Sequence, residues 1–293
     1  MATTPSKLVT IARDIKLSHT LFAMPFALLA TFMASGGWPR PGILLLIILC
    51  MVFARTVAMS MNRILDARLD QLNPRTAGRA LPSGKVSLTF YTGVALACMA
   101  GFVLATAGFW HFYKNPWPLL LSVPVLAYLC GYPLMKRFTQ LCHYYLGLAL
   151  GLAPLCAWVA VVGRADWPPA VMCLAVFCWT AGFDIIYACQ DYESDRQTGT
   201  ISIPAKRGIA PALWVARLTH LLCWLLLVLL WVIAPHLGWA FLAAVSAAGI
   251  LLIYEHSLVK PHDLSKLSMA FFTMNGIISS MLGLAGIIDV LMH

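Results

Sequence analysis

Charge is what this chain has least of: Asp, Glu, Lys and Arg make up 11% of its 293 residues, against 61% that are hydrophobic. Soluble domains carry about 25% charged and about 45–50% apolar residues. A mean hydropathy of +0.82 points the same way. Water cannot be the solvent for most of this protein, and no polar stretch is long enough for a sizeable soluble domain. No cleavable leader is evident either. Residues 1–16 are polar, and Ala34-Ser35-Gly36-Gly37 reads as a loop after a retained helix rather than a cleavage site. None of the nine cysteines forms a C-x-x-C pair, and all lie in or beside apolar runs. They are read as small packing residues, with no disulfide and no thiolate metal site.

What is there is a series of apolar stretches, each near the ~20 residues that a membrane-spanning helix needs. Nine can be drawn, near 17–35, 42–61, 86–110, 117–134, 141–162, 168–189, 210–234, 238–254 and 267–291. The expected fold is an all-α membrane protein, a bundle of nine transmembrane helices forming one unit over residues 1–293.

The formal net charge is +9, which could suggest nucleic acid, but its distribution excludes that reading. With nine spans and the N-terminus inside, all but Arg40, Lys114 and Arg164 of the 20 basic residues fall on one face. That is the positive-inside pattern; the basic excess sets topology and can meet anionic lipid or diphosphate. The acids gather there too: of 11, only Asp166 and Asp289 lie on the other side. A polar site is therefore expected at the cytoplasmic face of a cell inner membrane.

Two segments carry it. Asn62, Asp66 and Asp70 are spaced i, i+4, i+8, which places them within ~80° of one another on one helix face over ~12 Å of rise. Asp184, Asp191 and Asp195 fall within ~40° on a second helix, flanked by Tyr187 and Gln190. Asp66 and Asp70 precede Asp191 and Asp195 by the same 125 residues, which hints at a duplication of about four helices. Carboxylates this close repel unless a counter-charge meets them. Facing sets of hard oxygen ligands suit Mg²⁺, with substrate phosphates completing its shell. On this reading Asn62, Asp66 and Asp70 hold one ion, Asp191 and Asp195 another, and a diphosphate bridges them. The bland alternative is that these acids pair with Arg63, Arg68, Arg75, Arg79 or Arg196 and merely cap helices. Ionisable residues at membrane depth are functional by default.

Cations follow. Arg75 and Arg79 sit in a turn-rich loop, and guanidinium forks suit phosphate oxygens. Lys136, four residues after Tyr132, is either an interfacial anchor or a neutraliser of a leaving diphosphate. Arg55 lies two helical turns deeper than Asn62 in an apolar stretch, so something anionic should meet it: an Asp of the site or the carboxylate of an aromatic acid substrate. Asp184 is similarly deep and can pair with it. His19 is read as an interfacial contact. Trp and Phe residues are assigned to interfacial belts and a prenyl groove without distinction.

The run Asn62-x3-Asp66-x3-Asp70 followed by Asn73-x-Arg75-Thr76-x2-Arg79-x-Leu81-Pro82-x-Gly84 resembles the first aspartate-rich signature of UbiA-type prenyltransferases. Tyr187-Ala188-x-Gln190-Asp191-x3-Asp195-x3-Gly199-x2-Ser202 resembles the second, and Tyr132-x3-Lys136 the element between them. The resemblance implies a nine-helix bundle with a central cavity opening to lipid, and Mg²⁺ on the two Asp motifs binding a polyprenyl diphosphate. It implies an Arg at position 55 placed to meet the carboxylate of the acceptor. Many members have Asn-Asp where this chain has Asn62-Arg63. The wording of Lys16-x2-His19-Thr20 and Phe183-Asp184-Ile185-Ile186-Tyr187-Ala188 is nearest to members acting on 4-hydroxybenzoate, some of which are thought to use a dihydroxynaphthoate for menaquinone instead.

The expected chemistry is Mg²⁺-dependent prenylation of an aromatic ring in quinone biosynthesis. Lys136, Arg75 and Arg79 stabilise the leaving diphosphate, and Asp66 or Asp191 assists loss of the ring proton. A cation-coupled transporter would also carry intramembrane acids, but these crowd at one face and run into Arg- and Lys-bearing loops. A terpene cyclase would use the same metal site without a ring acceptor; Arg55 argues against it.

Overall fold

A computed structural model describes residues 6–15 and 22–293. Lys16, His19 and Thr20 lie outside the described residues. The helices are α1 (Lys7–Asp14), α2 (Met24–Ser35), α3 (Pro41–Leu72), α4 (Leu88–Tyr113), α5 (Trp117–Gly131), α6 (Cys142–Val162), α7 (Trp167–Ala188), α8 (Tyr192–Thr198), α9 (Ile203–Arg207), α10 (Ile209–Ile233), α11 (Trp239–Leu258) and α12 (Asn275–Met292). Among the described residues, eight helices are long and apolar enough to cross a membrane. The chain is an integral membrane protein. The first of the nine expected stretches is represented by α2, described over 12 residues and shorter than a span.

Local chemistry explains the boundaries. Proline stands in the first helical turn of α2, α3, α5 and α7, where its missing N–H costs nothing. Gly36 and Gly163 end α2 and α6 in the left-handed conformation (φ 60° and 79°) that lets the last carbonyls be capped.

Burial identifies α7 as the central helix. In the span Trp167–Thr198, 72% of the apolar window is covered by protein, against 22–39% in the other seven. It packs on α6 and α10, and α2 lies across α6 and α12. Gly147 and Gly151 let α6 approach: a Cβ at either would come within 2.5 Å and 2.6 Å of the carbonyls of Phe177 and Cys173. The spans Pro41–Leu72 and Trp167–Thr198 are both 32 residues long, and each carries its carboxylates near its C-terminal end. They differ in one respect. α3 is unbroken, whereas α7 gives way to a 3-10 turn at Cys189–Asp191 before α8. The expected single stripe Asp184–Asp191–Asp195 is therefore split over three elements, because the tighter 3-10 turn breaks the 100° register.

At the opposite end, Asp289 of α12 reaches the start of α11, where it accepts the N–H groups of Gly238, Ala240 and Phe241 at 2.8, 3.2 and 2.7 Å. It caps a helix other than its own. Asp289→Ala would leave these donors without a partner and should cost about 1–3 kcal/mol, read as a lower Tm in detergent. Asp289→Asn, which keeps an acceptor oxygen, should lose less.

Candidate active site

The C-terminal end of α3 and the α7–α8 segment meet around a cavity of ≈ 730 Å³. Every residue nominated from the sequence lines it. Arg55, Asn62, Asp66 and Asp70 come from α3, and Arg75 and Arg79 from the loop that follows. Tyr132 and Lys136 come from the 3-10 turn after α5. Asp184, Tyr187, Gln190, Asp191 and Asp195 come from the α7–α8 segment. Phe22, Phe183, Phe271 and Phe272 add an aromatic wall that could not be singled out from composition. Phe271 stands on a π-helical turn (Met269–Met274) and packs against Tyr187 with ring centroids 4.0 Å apart and the planes tilted by 32°.

Each carboxylate of the two motifs is held. Asp66 accepts from Lys136 Nζ at 2.5 Å, and Arg79 Nη1 bonds both oxygens of Asp70 at 2.6 and 2.7 Å. Arg75 grips Asp191 with both arms of its fork, Nε to Oδ1 at 2.9 Å and Nη2 to Oδ2 at 2.7 Å. Asn73 donates to the same Oδ1 at 2.9 Å. Burial lowers the pKa of Arg75, but the Asp191 bonds and charge outweigh it and hold the guanidinium above its usual value. Asp195 accepts from the Ser202 hydroxyl at 2.8 Å. Arg75 and Arg79 thus do pair with the acids, as the bland reading required. Its helix-capping half is not what the geometry has, since Asp191 is bound from the loop after α3, 116 residues away. Gln190 turns its amide back onto the Tyr187 carbonyl at 2.9 Å.

The donors have the chemistry a divalent cation takes, carboxylate and amide oxygens, and Asp66 Oδ1 is buried with no hydrogen-bond partner, but among the described residues no three His, Cys, Asp or Glu side chains are gathered into a ligand cluster. Deeper in, Arg55 Nε is likewise buried without one. The pairing of Arg55 with Asp184 expected as one option is not present. Asp184 instead bonds Nδ1 of His143 at 2.7 Å, while His143 Nε2 takes the Ile203 N–H at 3.3 Å. His143 was missed from the sequence; its signal was an ionisable side chain inside an apolar stretch. Below Arg55 lies a second, apolar cavity of ≈ 160 Å³ between α3, α4, α5 and α6. Arg55, Met59, Tyr132, Leu146 and Leu150 line both.

Residues 23–277 match the UbiA prenyltransferase family. The chain belongs to the UbiA prenyltransferase family. It is 31% identical to the 4-hydroxybenzoate octaprenyltransferase of Vibrio vulnificus over 269 residues, 90% of each protein. It superposes on the apo structure of a UbiA homolog from Aeropyrum pernix K1 with a TM-score of 0.83 and 30% identity, covering 93% of this chain and 98% of that one. A UbiA homolog from Archaeoglobus fulgidus bound to DMAPP and Mg²⁺ shares the fold with a TM-score of 0.71 at 19% identity, over 98% of this chain and 99% of that one.

Arg63, where many UbiA-type proteins carry an acid, has a local explanation. Its Nη1 donates to Asn62 Oδ1 at 2.9 Å, and its Nε lies 3.6 Å from Asp14 of α1. Asp14 also accepts the Ala80 N–H at 3.0 Å and the Tyr91 hydroxyl at 2.9 Å. One buried carboxylate thus ties α1, α3, α4 and the Arg75–Arg79 loop together. Asp14→Ala should cost about 3–5 kcal/mol, because it strands a buried guanidinium. Thermal unfolding in detergent checks this, and faster proteolysis within residues 73–87 should accompany it.

Proposed function

We propose that this chain transfers a polyprenyl group from its diphosphate to the ring of an aromatic acid of the 4-hydroxybenzoate kind, with Mg²⁺, as a step of quinone assembly. The observation that carries this is the convergence of both aspartate motifs, the three cations Arg75, Arg79 and Lys136 and an unpartnered Arg55 on one cavity. The similarity to the Vibrio 4-hydroxybenzoate octaprenyltransferase supports the acceptor, and the Mg²⁺ and DMAPP of the Archaeoglobus homolog support the metal and the donor. The active-site mouth is assigned to the cytoplasmic side of the inner membrane on the charge asymmetry of the loops.

Asn62, Asp66, Asp70, Asp191 and Asp195 would hold Mg²⁺, which when bound withdraws charge from a diphosphate. Arg75, Arg79 and Lys136, which neutralise these carboxylates here, have the charge and reach to take phosphate oxygens and stabilise the leaving group. Arg55 meets the acceptor carboxylate. Tyr132 at the waist between the two cavities and Tyr187 beside Arg75 border the space where donor and ring meet. The apolar walls exclude water from the allylic cation.

Asp66→Ala and Asp191→Ala should each lower turnover by at least ~100-fold while the protein stays folded. EDTA should do the same to the wild type, with Mg²⁺ restoring it. The assay is mass analysis of purified protein with geranyl diphosphate and 4-hydroxybenzoate. Wild-type turnover in either variant refutes the metal assignment. Arg55→Ala should raise the acceptor KM by roughly 10–100-fold, from loss of a charge-assisted bond, and leave the donor KM unchanged.

A further inference from the structure

Prenylation of a ring carbon ends with a proton to remove, and the carboxylates of the two motifs are poorly suited to take it. Asp66, Asp70 and Asp191 are each bound by a cation of the chain at 2.5–2.7 Å. Under the proposal above, they and Asp195 also belong to the metal. Asp184 differs in three ways. It makes no ion pair with Lys or Arg among the described residues, and its one hydrogen bond, from His143, engages Oδ2 and leaves Oδ1 without a partner. It keeps 24% of its side chain exposed, against 3% for Asp66, 8% for Asp70 and 16% for Asp191. It also lies on α7 at the floor of the cavity, seven residues and ~10 Å below Asp191.

The same floor carries two further unclaimed polar atoms. Arg55 Nε is buried without a partner, and so is the Thr180 hydroxyl, one turn before Asp184 on α7. Both residues line the cavity. Tyr132 lines the same cavity as Arg55 and Asp184. An acceptor whose carboxylate sits on Arg55 therefore has Thr180 and Asp184 among its neighbours.

His143 is built to hold Asp184 in the accepting state. It is buried, with 3% of its side chain exposed. A backbone N–H can only donate, so the bond from Ile203 makes Nε2 the acceptor and puts the ring proton on Nδ1, aimed at Asp184 Oδ2. The tautomer is imposed by the N-terminus of α9. We propose that Asp184, oriented by His143, is the base that removes the proton from the prenylated ring. This rests on the aromatic-acceptor reading above.

In the step, the C1–O bond of the prenyl diphosphate breaks and both electrons leave with the oxygen. The ring carbon beside the hydroxyl gives a π pair to C1. The proton on that carbon passes to Asp184 Oδ1, and the C–H pair returns to the ring. The carboxylic acid so formed releases its proton to water at the cavity mouth. Asp184 is a catalytic residue on this account, and His143 a positioning residue.

The test uses full-length protein in detergent with geranyl diphosphate, Mg²⁺, and 4-hydroxybenzoate either unlabelled or deuterated at both ring carbons beside the hydroxyl. Asp184→Asn, nearly identical in shape, should lose about 10²–10⁴-fold in kcat and show a primary deuterium isotope effect larger than that of the wild type. Its acceptor KM should stay within a few-fold. His143→Leu should move in the same direction. His143→Asn, whose amide can still donate to Asp184, should recover most of the loss. Asp184→Ala supplies a second variant: added formate should restore turnover. An Asp184→Asn enzyme as fast as wild type, or slow with an unchanged isotope effect, overturns the assignment. Equal losses in His143→Asn and His143→Leu overturn the positioning role, and formate without effect counts against the base. A wild type that never prenylates the ring sinks the acceptor reading and this step with it, an outcome distinct from a failure confined to the variants.

Discussion

The molecule is organised around the cost of keeping carboxylates at the edge of a low-dielectric bundle. Six of them (Asp14, Asp66, Asp70, Asp184, Asp191 and Asp195) face one cavity, and like charges gathered there need counter-charges. The chain supplies these from elsewhere: Lys136 for Asp66, Arg79 for Asp70, and Arg75 with Asn73 for Asp191. The last pairing crosses the cavity, joining the loop after α3 to the turn after α7. The same arms that satisfy the acids are those a diphosphate would attract. The basic arms and the carboxylates thus neutralise one another in this structure.

That electrostatic arrangement depends on a rigid frame. α7 is the most enclosed helix, and glycines on α6 let the two backbones come close. A lipid-facing helix can slide or tilt at small cost; one covered by neighbours cannot. Asp184 and, through the 3-10 turn, Asp191 thereby keep a fixed relation to α3. Asp14 does the corresponding work for the loop between α3 and α4 by accepting two hydrogen bonds, from Ala80 and Tyr91, and pairing its charge with the Arg63 guanidinium. The depth ordering matters as well. Charged groups cluster at the mouth, Arg55 stands at the waist, and an apolar cavity lies beneath, so polarity changes abruptly at the depth of Arg55.

Much of this was legible beforehand, for a physical reason. Helical periodicity is local, so Asn62, Asp66 and Asp70 could be placed on one face by spacing alone, and α3 carries them so. Composition fixed the solvent, and apolar run length counted the helices, apart from α2, which is shorter than a span. The 13 nominated positions share one cavity because each motif was read with its following loop. The Asp184 stripe was drawn through a helix that in fact breaks after Ala188, since a 3-10 turn leaves no mark in the hydrophobic pattern.

The sequence by itself determined that this is a multi-helix membrane protein with two acidic motifs and their cations at one end, because periodicity, hydropathy and loop charge are short-range properties of the chain. Only the tertiary structure decided the pairings. Asp184 went to His143 and not to Arg55, and Asp191 went to Arg75. Arg63 went to Asp14. Each partner is 41 to 116 residues away, and which side chains meet over such intervals depends on how helices pack and at what depth their polar groups come level.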